Sequence, residues 1–569
     1  MRKLSFVLLP FFFLLCHSNS FGQWQFANRA GGSLGDIGKS VAVGAHGALY
    51  VGGTFNSASV TFGSTTLVND SAGTSDIFLV KYDSLGNVMW ARREGGKGDD
   101  MLNAIAADSN GAILITGNFS GPSLTLGATT FYNHACTRFF IARYSGTGAF
   151  NWARSYDTAY NTIGCGETYS SSLVTGQDGS AFLSTYFVGT MVLGHDTLQT
   201  SLYDRYESLV MKYDSTGNLH WEKKIYSEPY TFVVISSIAL DATGNIYATG
   251  FTNGDNLYAP PISSTGGAYT WKHFLLKLDT AGNGTHISKI YSDACCDFIH
   301  YSVAVGSLND IYLAGYFGSH TVPDFVIGTQ TLHNYSPGTT DAFLAKYDST
   351  CSFVWARQAG SDADDYVTAI SVARPGTVYV AGSFKGSVAA FGTKTLPNQG
   401  ASSLFFAAYD AAGNALYAKA ADGANNTICS SIVAVPGNAV YIAGSFYSDS
   451  LNFGTAHLTN AGSPTDDFFV AKYKETGIEE VPAISINPQA SVYPNPVAAP
   501  GYLNVKLPAR ASCRSMELFN ALGKSVGVFP EVSNTDKPQL ILPVLPAGFY
   551  YLRVYCTTGS LVVPVVLGE

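Results

Sequence analysis

One sequence pattern recurs seven times between Trp24 and Tyr473, with a spacing of about 65 residues, and such a period indicates supersecondary units that stack on one another. A phenylalanine that ends one predicted strand marks each copy, at Phe55, Phe119, Phe187, Phe251, Phe317, Phe384 and Phe446. A second predicted strand, in segments such as IFLVKYD, ends at Tyr82, Tyr144, Tyr213, Leu278, Tyr347, Tyr409 and Tyr473. Most of the chain is therefore predicted to form one stacked body.

Each copy predicts four strands arranged as two β-hairpins. In the first copy, residues 40–43 and 48–55 flank one Gly-containing turn, and residues 76–83 and 87–93 flank another. The first strands are rich in small and β-branched residues, whereas the fourth strands carry a large aromatic residue, at Trp90, Trp152, Trp221, Trp355 and Tyr417. Small residues near an axis and large residues outside predict the tapered blade of a β-propeller.

The two ends of the repeat array complement each other. The seventh copy has no Trp-containing strand after Tyr473, while WQFANRAGG at residues 24–32 parallels WARREGG at residues 90–96. We expect residues 24–29 to become the fourth strand of the seventh sheet, which protects two strand edges from aggregation. The predicted fold is all-β: a seven-bladed β-propeller at residues 23–476, closed by an N-terminal strand and followed by a small C-terminal β-sandwich.

The segments SVAVGAHGALYVGGTF, DIFLVKYDSLGNVMWARREGG and VYVAGSFKG resemble the SBBP family of bacterial β-propeller repeats. The resemblance spans residues 24–474 and implies a propeller fold. The fourth copy lacks the Phe-Gly…Thr-Leu segment found at residues 62–67 and 391–396, so we expect its loop between the second and third strands to differ most. Propellers host binding, scaffolding and several chemistries, so the resemblance assigns no activity.

The N-terminus predicts export. Arg2 and Lys3 precede an apolar stretch at residues 4–15, and small residues lead to Gly22, so residues 1–22 are typical of a secretory signal peptide. No later segment has the ~18 apolar residues of a transmembrane helix. The net charge of −9 leaves no basic surface for nucleic acid. We expect a monomer that passes through the periplasm and is secreted or displayed on the outer cell surface.

A second β pattern follows a linker at residues 477–490. VYPNP begins at Val492, and the segments MELFNALGKSV and LPAGFYYLRVYC follow with the alternation of half-buried strands. Residues 491–569 therefore predict a small β-sandwich. The three segments resemble the type A sorting domain of the type IX secretion system, which implies that the tail binds the secretion machinery and directs export.

The sequence carries no recognisable catalytic constellation. No His-Glu-x-x-His is present, and the eleven histidines are scattered. Residues 31–35, GGSLG, match G-x-S-x-G in letters but follow a predicted propeller strand and precede no helix. We predict no enzymatic activity and no cofactor, with calcium left open because Asp-rich turns recur.

Acidic residues give the only recurrent polar signal. The predicted loop from each fourth strand to the next first strand carries at least one acid, and in a propeller these loops share a face with the long loops between second and third strands. The candidate ligand- or cation-binding rim comprises Asp36, Asp99, Asp100, Asp293, Asp364, Asp365 and Asp422. Such a rim attracts cations or hydroxyl-rich ligands. The alternative is that each aspartate satisfies backbone N–H groups in a turn.

Three functions are compatible with these features. The leading hypothesis is a binding module for a glycan or protein, because long loops on a rigid ring carry recognition. The second is a carbohydrate-active hydrolase or lyase that uses the acidic rim, with two carboxyl groups ~5 Å or ~6.5 to 9.5 Å apart. The third is a purely structural surface protein.

Overall fold

The computed structural model separates into two compact units, Met1–Gly477 and Ile478–Glu569. The described residues are 22–71, 73–133, 136–156, 158–159, 167–193, 196–200, 205–228, 230–264, 272–291, 302–306, 309–318, 324–373, 376–398, 400–423, 426–435, 437–475, 491–498, 501–506, 513–520, 525–529, 539–542, 544–546, 548–556 and 559–568. The predicted signal peptide, apart from Gly22, and the predicted linker lie outside them. Within these ranges, helix is limited to the 3₁₀ turn Ala45–Gly47.

The described residues of the first unit form seven four-stranded repeats. The first strands are Asp36–Val43, Asp100–Ala107, Glu167–Thr175, Val233–Leu240, Ser302–Val305, Asp365–Ala373 and Thr427–Val435. The second strands are Leu49–Phe55, Ile113–Phe119, Ala181–Val188, Ile246–Thr252, Ile311–Phe317, Thr377–Phe384 and Ala439–Phe446. The third strands are Asp76–Tyr82, Arg138–Tyr144, Glu207–Tyr213, Lys272–Leu278, Asp341–Tyr347, Ser403–Tyr409 and Asp467–Lys474. The fourth strands are Val88–Gly96, Phe150–Arg154, Leu219–Ile225, Gly284–Tyr291, Phe353–Gly360, Ala415–Gly423 and, for the seventh repeat, Gln23–Ala30.

Each of the first six repeats is an antiparallel meander in which the four strands are neighbours in chain order. The seventh repeat completes this order with the N-terminal strand, which pairs with the third strand from Gln23 opposite Lys474 to Ala30 opposite Phe468. The predicted pairing of the N-terminal segment with the last repeat is therefore confirmed. Both termini of the repeat array are held in one sheet.

Serine hydroxyls link neighbouring first strands. Ser40 Oγ accepts a hydrogen bond from Ile105 N in the next repeat at 3.1 Å. Equivalent bonds run from Ile238 N to Ser172 Oγ, from Val303 N to Ser237 Oγ and from Val41 N to Ser431 Oγ. The last of these joins the seventh repeat to the first. The first strands contact one another in cyclic order, so the unit is all-β and propeller-like.

The large aromatic residues of the fourth strands fasten each repeat to the next. Trp90 Nε1 donates to Gly146 O at 3.3 Å, and Trp152 Nε1 donates to Ser215 O at 3.1 Å. Both carbonyl groups belong to the turn between the third and fourth strands of the following repeat. A glycine with positive φ in that turn, Gly217 at +87°, lies beneath the Trp152 ring. The recurrence of Trp and of this glycine is thus explained by packing.

A short hairpin is inserted between the second and third strands of every repeat. Its strands are Ser59–Phe62 and Thr65–Val68, Ser123–Leu126 and Thr129–Tyr132, Thr190–Leu193 and Asp196–Gln199, Leu257–Ala259 and Ile262–Ser264, Asp324–Ile327 and Gln330–His333, Val388–Phe391 and Lys394–Pro397, and Ser450–Phe453 and Ala456–Thr459. In the second, sixth and seventh repeats it pairs with the fourth strand of the preceding repeat. The fourth repeat has this hairpin in a shortened form. Thr158–Ala159 forms an additional strand beside the third hairpin.

The second unit forms two sheets around one apolar core. One sheet contains Ser491–Tyr493, Tyr502–Lys506 and Gln539–Ile541. The other contains Val497–Ala498, Cys513–Asn520, Ser525–Phe529, Gly548–Cys556 and Gly559–Gly568. Leu503 and Leu540 from the first sheet and Leu518 and Leu552 from the second belong to a single buried cluster. This arrangement is that of a small β-sandwich.

Candidate functional site

Three of the predicted rim acids are buried where first strands begin. Asp36 Oδ1 accepts hydrogen bonds from the backbone N–H groups of Asn56 and Ser57, and Asp36 Oδ2 accepts from Gly32 N and Ser57 Oγ. Asp100 Oδ2 accepts from Gly96 N at 2.6 Å. Asp365 accepts from the backbone N–H and the hydroxyl of Ser361. These contacts are those of the turn-stabilising alternative.

Each of these acids has a second buried aspartate beside it, which is not among the predicted rim acids. Asp76, Asp341 and Asp467 begin third strands and are fully buried. A Cβ on Gly95 would meet the carboxylates of both Asp76 and Asp100, and a Cβ on Gly360 would meet those of Asp341 and Asp365. Glycine at this point thus allows two carboxyl groups to face each other across a repeat junction.

The paired acids hold their protons at unusually high pH. Burial raises the pKa of Asp100 to about 8, and the charge of Asp76 adds to the shift, although a hydrogen bond from Gly96 opposes it. Burial likewise raises the pKa of Asp365 to about 7, and those of Asp341 and Asp467 to about 6. Oδ1 of Asp76, of Asp341 and of Asp467 has no hydrogen-bond partner among the described residues. Asp100 and Asp365 therefore favour the protonated form, whereas Asp76 and Asp467 also form ion pairs, with Arg93 at 2.7 Å and with Arg29 at 3.3 Å.

The other four predicted acids lie in different surroundings. Asp99 is exposed, and its Oδ1 accepts from Ser75 N and Ser75 Oγ, each at 3.1 Å. Asp364 pairs with Lys385 at 3.0 Å. Asp422 lies within a fourth strand, opposite Asn452, and not in the predicted loop, because the inserted hairpin of the next repeat extends the pairing. Asp293 lies outside the described residues.

A cavity of about 390 Å³ lies where the first strands of repeats 1, 2 and 3 begin. We call it the loop-side pocket. Its lining includes Lys39, Asn56, Asp99, Asn118, Thr137 and Tyr169. It therefore brings one of the predicted rim acids together with amide, hydroxyl, ammonium and aromatic groups. A second cavity, of about 470 Å³, lies at the opposite ends of the first strands and is lined partly by Asp178, Lys212 and Asp241.

Three half-buried tyrosines contact one another, and one of them, Tyr169, lines the loop-side pocket. The Tyr169 and Tyr186 rings stack with centroids 5.2 Å apart, and Tyr206 meets Tyr186 edge-on at 5.3 Å. Tyr206 Oη donates to Glu167 Oε2 at 2.8 Å, and Tyr169 Oη donates to the same oxygen at 3.3 Å. Burial raises the pKa of all three phenols, so they remain neutral donors. We call these tyrosines and Glu167 the tyrosine cluster.

These groups are suited to binding. Aromatic faces and fixed hydrogen-bonding groups recognise ligands that present both apolar and hydroxyl surfaces. In the part of the chain that the structure describes, no group of three or more His, Cys, Asp or Glu is placed to hold a metal ion. The Asp-rich turns use their carboxylates locally, since Asp83 Oδ1 accepts from Leu85 N and Asn87 N. The tyrosine cluster was missed because its members are far apart in sequence.

Comparison with known families assigns the tail. Residues 491–567 match the family described as a secretion system C-terminal sorting domain. The tail is a C-terminal sorting domain. It implies export by the type IX secretion system and a cell-surface or extracellular location. No helix in the described ranges is long and apolar enough to cross a membrane.

Two curated proteins are similar to the chain. An uncharacterized WD repeat-containing protein of Acanthamoeba polyphaga mimivirus is 24% identical over 479 residues, which cover 71% of this chain and 34% of that protein. The regulatory protein FlaEY of Caulobacter vibrioides is 24% identical over 367 residues, which cover 62% and 37%. The chain therefore spans about a third of the length of these relatives.

Two solved structures show distant similarity. PorZ, a bacterial surface component of the type IX secretion system of Porphyromonas gingivalis, is 10% identical, with 95% of this chain and 100% of that chain covered and a TM-score of 0.17. The Pan2 WD40 domain of Neurospora crassa is 8% identical, with 54% and 90% covered and a TM-score of 0.25. At these TM-scores neither similarity assigns a function.

Proposed function

We propose that residues 23–476 form a closed seven-bladed β-propeller that serves as a secreted or surface-displayed glycan-binding module, exported through its sorting domain. The observation that carries the proposal is the loop-side pocket beside the tyrosine cluster. Sugar rings stack on aromatic faces, and their hydroxyl groups use amide, carboxylate and phenol partners. Three observations support the closed propeller. They are the SBBP-like repeats, the contacts of the first strands in cyclic order, and the pairing of the N-terminal strand with the seventh repeat.

Hydrolysis is less well supported than binding. A glycosidase needs two carboxyl groups that reach the substrate. Asp36, Asp100 and Asp365 are buried and bond to backbone or serine groups. Asp99 is exposed in the pocket without a second acid among the pocket's described lining residues. This arrangement favours a module that binds without turnover.

The predicted signal peptide and the sorting domain support a route in two steps. The signal peptide leads the chain into the periplasm, and the tail then engages the type IX machinery at the outer membrane. Export in this order places the repeat unit on the outer cell surface or in the medium, where glycans are accessible ligands.

The proposal predicts that the mature chain binds glycans through the tyrosine cluster. A glycan array, run with and without calcium, is expected to give reproducible ligands whose binding falls about fivefold in Tyr169→Ala, because stacking contributes on the order of 1 kcal/mol. Tyr132→Ala is the matched control, since Tyr132 is exposed on an inserted hairpin. Absence of any glycan ligand under both conditions, or release of a cleaved product, would contradict a non-enzymatic glycan-binding role.

A further inference from the structure

Lys39 occupies a position that distinguishes the first repeat from the others. Each described first strand except that of the fifth repeat has a bulge three or four residues after its first paired position, and Lys39 is the bulged residue between Gly38 and Ser40. The equivalent residues are Asn103, Ser171, Ser236, Thr368 and Ser430. All five are uncharged. Lys39 is thus the one charged side chain at this position in the six first strands compared.

The ammonium group of Lys39 lacks a partner in its surroundings. Lys39 is half-buried, lines the loop-side pocket and makes no hydrogen bond or ion pair with any described residue. By contrast, Asn103 Nδ2 donates to Ser170 O at 2.7 Å, and Ser171 Oγ donates to Ser184 O at 3.1 Å. Burial lowers the pKa of Lys39, and the charge of Asp466 only partly opposes this effect. A cation in such a place is stabilised by an anion that enters the pocket.

The acid in the same pocket does not supply that anion. Asp99 Oδ1 is already bound to the backbone and hydroxyl of Ser75, at 3.1 Å each. Tyr169 lines the pocket as well and belongs to the tyrosine cluster. A ligand in the pocket therefore meets the Tyr169 side chain and the unpaired ammonium group of Lys39. A sugar that carries a carboxylate or a sulfate satisfies both.

We infer that the loop-side pocket binds an acidic glycan whose anionic group pairs with Lys39. This inference rests on the proposed glycan-binding function and names the class of glycan. Neutral sugars stack on the tyrosines but leave the ammonium group without a counter-charge. A charge-assisted hydrogen bond to Lys39 therefore selects acidic over neutral sugars.

Calorimetric titration of the mature full chain tests the inference. The probes are a hexamer of galacturonic acid, its methyl ester and a heparin-derived hexamer, which separate carboxylate from sulfate recognition. We expect an acidic hexamer to bind the wild type at least about tenfold more tightly than the ester, because the ester cannot form the charge-assisted hydrogen bond to Lys39. Lys39→Met is expected to lose this preference and Lys39→Arg to retain it.

The control substitution is Lys385→Met, since Lys385 pairs with the predicted rim acid Asp364 and is absent from the pocket lining. Circular dichroism and Tm verify folding of each variant, and Lys39→Gln replaces Lys39→Met if the latter does not fold. Equal binding of the acid and the ester by the wild type, or an acid preference that survives in Lys39→Met, would overturn the inference and leave glycan binding in place. If the wild type binds no glycan on the array and none of the hexamers, the proposed function itself fails.

Discussion

Asp100 shows how a single buried carboxyl group at a repeat junction couples stability to pH. The folded protein keeps its proton up to about pH 8, whereas the unfolded chain releases it near 3.8. The folded state therefore binds more protons than the unfolded state between these values. The free energy of unfolding therefore falls as the pH rises through this window. Below the window Asp100 is protonated in both states, so its titration does not change the free energy of unfolding.

Asp100→Asn is expected to raise the free energy of unfolding at pH 8 by on the order of 2 to 4 kcal/mol and to change it little at pH 4. The asparagine cannot ionise, and its amide oxygen can still accept the hydrogen bond from Gly96 N. Urea unfolding at both pH values measures the effect. Asp83→Asn is the control, because hydrogen bonds from Asn87 lower the pKa of this exposed acid, so its loss destabilises at pH 8. Equal effects of Asp100→Asn at both pH values would show that burial does not shift its titration.

The predicted rim acids show how far the sequence alone can describe individual residues. Their positions in the junctions were evident, but their burial was not. Asp76 precedes Asp100 by 24 residues, and the two meet only because the third strand of one repeat lies beside the first strand of the next. Such proximity depends on the packing of neighbouring sheets. The spacing of residues within one repeat therefore does not predict that these two acids meet.

At the scale of elements, the turn between the third and fourth strands joins neighbouring repeats. In the third repeat, the Asp214 side chain accepts hydrogen bonds from Thr216 N and Asn218 N, which fixes the turn. Gly217 then lies under the Trp152 ring of the preceding repeat. The turn is therefore both a local structure and a contact surface.

Gly217→Ala is expected to destabilise the protein more than Gly73→Ala. The two glycines have nearly the same φ, +87° and +86°, so both substitutions incur the left-handed cost of about 1 to 2 kcal/mol. Only at Gly217 would the new methyl group overlap a ring, that of Trp152, which adds about 1 to 3 kcal/mol. Urea unfolding measures the difference. Equal losses would mean that the Trp152 ring moves aside at little cost.

The regular strands were predictable because each repeat has the same alternation of apolar and polar residues and the same turn residues. The inserted hairpins were recognised only as a recurring Phe-Gly…Thr-Leu segment and were not predicted as strands. The fourth repeat lacks that segment, yet Leu257–Ala259 pairs with Ile262–Ser264. Neighbouring sheets supply the packing that holds so short a hairpin. Its formation therefore depends on tertiary contacts that a single repeat does not encode.

At the scale of the whole molecule, the seam between the N-terminal strand and the seventh repeat reproduces the other junctions. Trp24 meets Phe453 edge-on with centroids 4.7 Å apart and also contacts Tyr473. Phe26 lies over Gly86, in the turn between the third and fourth strands of the first repeat. Asn28 Nδ2 donates to Gly86 O in that turn at 2.6 Å. The N-terminal strand therefore completes the sheet of the seventh repeat and also contacts the first repeat.

A chain that starts at residue 33 is expected to lose at least about 3 to 5 kcal/mol of stability and to self-associate, because the Trp24 contacts disappear and the third strand of the seventh repeat becomes an exposed edge. Tm and size-exclusion chromatography measure both effects. A synthetic peptide of residues 23–32 should restore the monomer and its Tm, since it supplies the missing strand. The same peptide with Trp24→Ala and Phe26→Ala should restore neither. A truncated chain that stays monomeric with an unchanged Tm would show that the N-terminal strand does not stabilise the seventh repeat.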